Sequence, residues 1–121
     1  MTATRLGHVF LLLIVAISIG CRRGDKAKCE KAVRNVFTLT FWHTAEKQIA
    51  ALPEDQRLAK RRELEQKFDA KIKLELDRIA SQCVAADDDD RADCMIKADT
   101  CAKAKACMPD DTNVDISKEC D

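Results

Sequence analysis

Tyrosine is absent from this sequence, and glycine and proline are scarce, with three and two among 121 residues. Sheet proteins need Gly- and Pro-rich turns between strands of β-branched and aromatic residues, so this shortage argues against an all-β fold. There are only two histidines, and just one of them, His43, lies beyond the first twenty residues. No C-x-x-C pair occurs, which disfavours a zinc site and a thioredoxin-like redox catalyst. A Gly-rich phosphate loop is also missing, which removes the commonest nucleotide-binding signature. Positive charge is not in excess: 21 basic side chains face 21 acidic ones. A nucleic-acid binder would normally carry a basic footprint, so no nucleic-acid partner is expected.

What is present is 46% apolar and 35% charged. That apolar content is too high for a disordered polar tract. Abundant Ala, Lys, Glu, Asp and Leu favour helix. The predicted fold class is therefore all-α, a small antiparallel helical bundle of three long helical segments.

The first segment reads as an address rather than as part of that bundle. Arg5 precedes the unbroken apolar run Val9-Phe10-Leu11-Leu12-Leu13-Ile14-Val15-Ala16-Ile17, and Ser18-Ile19-Gly20-Cys21 then leads into Arg22-Arg23. A basic start, a short apolar middle and small residues at the cut describe a secretory signal peptide. The run falls short of the ~20 residues a spanning helix needs. Ile19-Gly20-Cys21 resembles the end of the lipobox of bacterial lipoproteins, with Ser18 where that motif usually has Leu. The resemblance implies cleavage between Gly20 and Cys21, a thioether lipid on Cys21, and acylation of the new amino terminus by a chain such as palmitate. It also implies a membrane partner through that lipid, an outer-membrane anchor, and a domain in the periplasm or at the cell surface.

The sequence contains seven cysteines: Cys21, Cys29, Cys83, Cys94, Cys101, Cys107 and Cys120. An odd count in an exported protein leaves one thiol to explain. A lipid on Cys21 leaves six, and six cysteines in a small exported domain read as three disulfides.

Beyond Cys21 the chain divides into a lipidated tether over 21–28, a disulfide-stapled helical domain over 29–108 and a tail over 109–121. Cys29, Ala32, Val33, Val36, Phe37, Thr40 and Thr44 recur at three- and four-residue steps, as in an amphipathic helix. Pro53 ends that helix or opens the next. Leu64, Phe68, Ile72, Leu76, Ile79 and Cys83 form a second stripe, backed by Arg62, Glu65, Gln66, Asp69, Lys73 and Asp77, the pattern of a core-facing helix. Asp87–Asp90 breaks the chain. Aspartate is a poor helix-interior residue and a good N-cap, so a solvated turn and a third helix start from Asp89 or Asp90 are expected. A calcium loop needs Gly at its sixth position and Glu at its twelfth. Counting from Asp87 or Asp88 puts Ala92 and Ala98, or Asp93 and Asp99, there instead. The third helix has a break point at Asp99-Thr100, which would yield a short fourth segment ending at Cys107.

If the first two helices form a hairpin with its midpoint near residue 56, Cys29 lies beside Cys83. A bend at Asp99 folds Cys107 back towards Cys94. The favoured set is then Cys29–Cys83, Cys94–Cys107 and Cys101–Cys120, with Cys83–Cys94 as its strongest competitor among fifteen possible connectivities. The spacing of Cys83, Cys94 and Cys107 resembles a group of small Gram-negative lipoproteins with a cysteine-bearing helical domain, over about residues 80–108. That resemblance implies no activity.

Catalytic residues are not expected. A serine triad needs Ser, His and an acid held together, and beyond the leader the chain offers Ser81, Ser117 and His43 without a Gly-flanked nucleophile turn. Disulfide-bonded cysteines have no nucleophilic thiolate. No cofactor and no metal ligand set is assigned. Trp42, the single tryptophan, is expected to be buried, and is the partner-contact candidate if exposed, because Trp is enriched at binding hot spots. The expected function is a membrane-anchored envelope module that is not an enzyme and contacts an unidentified envelope protein. The alternative is a small-ligand or metal-ion binding lipoprotein.

Overall fold

The computed structural model describes residues 24–108 and Cys120. The segment expected to be a signal peptide, Gly20, Cys21 and most of the expected tail lie outside the described residues. Those described form an all-α, antiparallel bundle of four helices: α1 Lys26–Ala50, α2 Glu54–Ala86, α3 Asp89–Lys97 and α4 Cys101–Ala106.

Each boundary has a local cause. The Asp25 carboxylate caps α1 by accepting from the Ala27 and Lys28 amides at 2.9 and 3.2 Å. The helix therefore begins at Lys26, inside the segment assigned to the tether. No Gly or Pro interrupts it before Ala50. Leu52 precedes Pro53, and a residue before proline is sterically pushed out of the helical region. Arg57 reaches back across this turn, donating to Leu52 O at 2.9 Å and to Ala50 O at 3.4 Å. It thereby serves carbonyls that the end of α1 leaves open. Glu54 and Asp55 then lie in the first turn of α2, where negative charge complements the helix dipole.

At the other end of α2, Asp87 adopts a left-handed backbone with φ 50°, and its amide donates to Cys83 O. Asp tolerates this conformation better than most non-Gly residues. Asp88 is the N-cap of α3, accepting from Arg91 N at 2.9 Å. The third segment breaks after Lys97, with Ala98 extended. Thr100 Oγ1 caps α4 by accepting from Lys103 N at 3.2 Å. The third long segment is therefore two short helices of nine and six residues, too short to stand alone.

The core is in two parts. In the first, Ala32, Val33 and Val36 of α1 pack with Ala92, Met95, Ala98 and Ala104 from the α3–α4 side, and Leu76, Ile79 and Cys83 of α2 close over them. In the second, Ala45 and Ile49 of α1 meet Leu64 of α2, flanked by Phe41 and Trp42. The bundle thus has a broad base, where all four helices meet, and a two-helix arm. This explains a shift in the buried stripe of α1. At the base it is wide because α1 is covered by α2 and by α3–α4. In the arm it narrows to the four-residue steps Phe41, Ala45, Ile49, so Thr44 is exposed. Cys94 and Ala102 of the third segment are also exposed. The break at Ala98–Thr100 turns α4 relative to α3.

Three disulfides staple this arrangement. Cys29–Cys83 joins α1 to α2, Cys94–Cys107 folds the end of α4 onto α3, and Cys101–Cys120 holds the tail to α4, with Cα–Cα distances of 5.7, 5.7 and 5.5 Å. The first two are the pairs that the hairpin register and the Asp99 bend favour, and the third joins the two remaining cysteines of the favoured set. By loop-closure entropy, the 54-residue separation of Cys29–Cys83 corresponds to about 4 kcal/mol, and the shorter Cys94–Cys107 loop to about 3.

None of these bonds links α3 or α4 to α1. That role is shared by Lys28, which pairs with Asp89 and Asp93 of α3, and by Asn35, whose side-chain amide donates to Met95 O and Ala98 O at 2.8 Å and to Ile96 O at 3.4 Å. Asn35 acts as a C-terminal cap for α3 supplied by a neighbouring helix. Asn35→Ala strands half-buried carbonyls, each a desolvation cost on the order of 1–3 kcal/mol. We expect urea unfolding to report a loss of about that size, and Asn35→Asp to be worse because its carboxylate faces carbonyl oxygens. A loss below about half a kcal/mol would show that the amide is not the fastening.

Candidate functional site

The arm carries the features that stand out once the core is accounted for. Trp42 is half-buried, not enclosed as the sequence suggested, because only α2 covers this level of α1. Its ring meets Phe41 edge-on at 5.4 Å between centroids and Phe68 at 6.3 Å, while Phe41 and Phe68 are 5.2 Å apart. These separations fall in the range where aromatic quadrupoles attract. The Arg61 guanidinium of α2 lies 5.6 Å from the Trp42 ring centre and pairs with Glu46, one turn beyond Trp42, at 2.9 Å. A cation over an indole face is worth roughly 0.5–1 kcal/mol at an exposed site. The tryptophan is thus a wedge between the two helices of the arm, lidded on one side by an ion pair.

Beside it an open groove of about 220 Å³ runs between α1 and α2, lined by Thr40, Phe41, Thr44, Ala45, Gln48, Leu64 and Lys71. Its floor is apolar and its rim polar. The Lys71 ammonium lies 5.8 Å from the Phe37 ring. Thr40 is 2% exposed, and its hydroxyl is satisfied within its own helix, donating to Val36 O at 2.9 Å. It is therefore a wall of the groove and not a free donor. One turn from Leu39, His43 holds its Nε2 buried without a hydrogen-bond partner.

The acidic turn has a different character. Asp88 is a cap, and Asp89 and Asp93 pair with the Lys28 ammonium at 3.2 and 3.0 Å. The hydrogen bond that Lys28 donates to Asp93 is the main reason its pKa is raised above its ordinary value, with burial opposing it and Asp89 adding to it. Among the described residues no group of three or more His, Cys, Asp or Glu side chains is placed to hold a metal ion. Cys29, Cys83, Cys94, Cys101, Cys107 and Cys120 are all consumed in disulfides, so none offers a thiolate. Ser81 donates to Asp77 O of its own helix at 2.7 Å. Ser117, like Gly20 and Cys21, lies outside the described residues.

No protein-family model, curated protein or solved structure matches this chain.

Sequence reading singled out Trp42 but not its partners. Phe68 was placed on the core stripe of α2, and Arg61 carried no signal. The hairpin register could have found Phe68, since it sets Trp42 opposite that region just as it sets Cys29 opposite Cys83.

Two tests follow. Trp42→Ala should cost about 2 kcal/mol, less than the ~3–5 of a fully buried ring, whereas Trp42→Phe should retain most of the stability. Equal losses for the two would show that the ring's edge contacts matter more than its bulk. The second concerns pH. The Glu63 carboxyl is held below its ordinary value, first by its hydrogen bond from Lys67 and then by that from Lys60, and Asp99 is held low by Lys103. Stability from a depressed carboxylate is present above its unfolded pKa and is lost as pH falls through the folded one. Glu63→Gln should flatten the acid limb of a Tm-against-pH curve slightly, since exposed pairs contribute little. An unchanged limb would remove Glu63 from the acid response.

Proposed function

We propose that this chain is the helical domain of a bacterial envelope lipoprotein, anchored by lipid on Cys21, and that it serves as a non-enzymatic interaction or structural module. The observation that carries the reading is the cysteine pairing. Six of the seven cysteines form three disulfides, and Cys21, at the end of the signal-like segment, is the one left over. A free thiol in an oxidising compartment is a liability, and a thioether lipid removes it. Disulfides also belong to exported proteins, in keeping with a secretory leader.

The interaction role rests on the arm. Trp42 with Phe41 and Phe68 makes a rigid aromatic wedge beside the groove, and aromatic anchors next to a recess are where partner contacts concentrate. A small-ligand role would use the same groove, whose rim holds Gln48 and Lys71 above an apolar floor.

Intact mass of the protein from membranes, before and after reduction, tests the anchor. The expected result is a chain starting at Cys21, heavier by a diacylglyceryl group and an acyl chain, which gains the six hydrogens of three disulfides on reduction. Lipid-precursor label that persists in Cys21→Ala would sink the anchor reading. For the module, crosslinking in intact envelopes should capture a partner that Trp42→Ser no longer captures but Trp42→Phe does. Capture unaffected by Trp42→Ser would move the contact away from the arm.

A further inference from the structure

Gly24 lies against the end of α2. A Cβ at this position would sit 3.1 Å from Val84 O and 3.2 Å from Val84 Cα, so the backbone passes close enough that a side chain would require Val84 to give by a few tenths of an ångström. From that residue onward the chain is fastened to the base of the bundle. Asp25 caps α1, Lys26 pairs with Asp77 at 3.3 Å, Lys28 pairs with Asp89 and Asp93, and Cys29 is bonded to Cys83. Only Arg22 and Arg23 separate Cys21 from Gly24. Three backbone steps span at most about 11 Å.

The length of the bundle sets the contrast. The 25 residues of α1 cover about 38 Å at 1.5 Å per residue, from the base at Lys26 to the hairpin turn at Ala51–Pro53. No side of the rod is built to lie on lipid. Its two large exposed apolar side chains, Leu58 and Leu74, are 61% and 78% exposed. Sixteen residues apart on one helix, they project about 160° from each other at roughly 100° per residue. Between them the exposed surface of α2 is charged with both signs.

The geometry points to an end-on arrangement: the base of the bundle, formed by Gly24, Lys26, Lys28 and the Asp87–Asp90 turn, is apposed to the lipid headgroups, and the α1–α2 arm stands away from the bilayer. The membrane-facing surface is polar, so it meets the headgroup layer and does not enter the acyl region. Trp42 and the groove lie part-way up the arm, and the hairpin turn lies about 40–50 Å from the surface by the same helical rise. A partner of the arm must therefore be met close to the membrane that holds the anchor. This inference rests on the Cys21 anchor proposed above.

Energy transfer from a single tryptophan to a dansylated headgroup lipid tests it. The protein is the full lipidated chain, its lipid verified by mass, in phosphatidylethanolamine–phosphatidylglycerol vesicles. Trp42 is the middle donor. In a Trp42→Phe background, Ala86→Trp supplies a donor at the base and Ala51→Trp one at the tip, both at exposed positions. Transfer should fall several-fold from base to tip, with Trp42 between. A flexible Gly/Ser insertion of about ten residues between Arg23 and Gly24 should weaken transfer from the base, because such a linker adds reach. Equal transfer from both ends, or stronger transfer from Ala51→Trp, would overturn the end-on arrangement while leaving the anchor standing. A mass without lipid would overturn the anchor itself before any vesicle is made.

Discussion

The side-chain amide of Asn35 is the contact on which the shape of this bundle depends. α3 and α4 are too short to persist as free helices, and the disulfides close loops without tying either of them to α1. What holds them is a buried apolar patch, the Lys28 bridge to Asp89 and Asp93, and one amide reaching the carbonyls of Met95, Ile96 and Ala98. Those carbonyls exist to be reached because the helix stops there, and it stops there because Ala98 turns extended and Thr100 starts a new cap. The break between α3 and α4 and the asparagine on α1 therefore specify each other. Without the break there would be no open carbonyls, and without the amide the break would leave them unpaired in a half-buried place.

Around that fastening the core is thin. Alanine supplies six of its buried apolar residues: Ala32, Ala45, Ala80, Ala92, Ala98 and Ala104. Alanines let helices approach closely, but each removes little apolar surface from water, and burial stabilises by roughly 25 cal/mol per Å². A domain of this size is marginal on burial alone. The three staples act on the other side of the balance, by restricting the unfolded chain. Close packing and covalent closure thus fit together: small side chains bring Cys29 and Cys83 within bonding distance, and the bond keeps a weakly buried interface closed.

How much of this was legible in the sequence follows from which signals are local. The second helix, the Asp88 cap, the break at Asp99-Thr100 and the Cys29–Cys83 pairing all come from short-range pattern plus one assumption about where the hairpin turns. Asp25 was readable as a cap and was passed over because a charged stretch beside a leader reads as a tether. Asn35 was not readable. A mid-helix asparagine looks like a weak helix former, and its value appears only when α3 ends beside it, sixty residues on. Trp42 was noticed as an oddity. Its half-exposure depends on α3 and α4 ending below it, a question of three-dimensional height that periodicity does not encode. The pairing of the other six cysteines leaves Cys21 as the odd one out.

The distribution of fastenings along the rod has a consequence for what the arm can do. The base holds a disulfide between α1 and α2, a core shared by four helices, the Asn35 cap and the Lys28 bridge to two aspartates. The arm has Ala45, Ile49 and Leu64, the aromatic wedge and the Glu46–Arg61 pair. Local opening is easiest where few apolar contacts must be broken, and binding elements are drawn from that end of the stability range. Trp42 and the groove sit where the rigid base gives way to the looser arm. A ligand entering there needs α1 and α2 to part only between the hairpin turn at Ala51–Pro53 and the Cys29–Cys83 disulfide, which lies several turns below Trp42. The disulfide prevents that parting from spreading into the base, so the arm can open while the base keeps its shape.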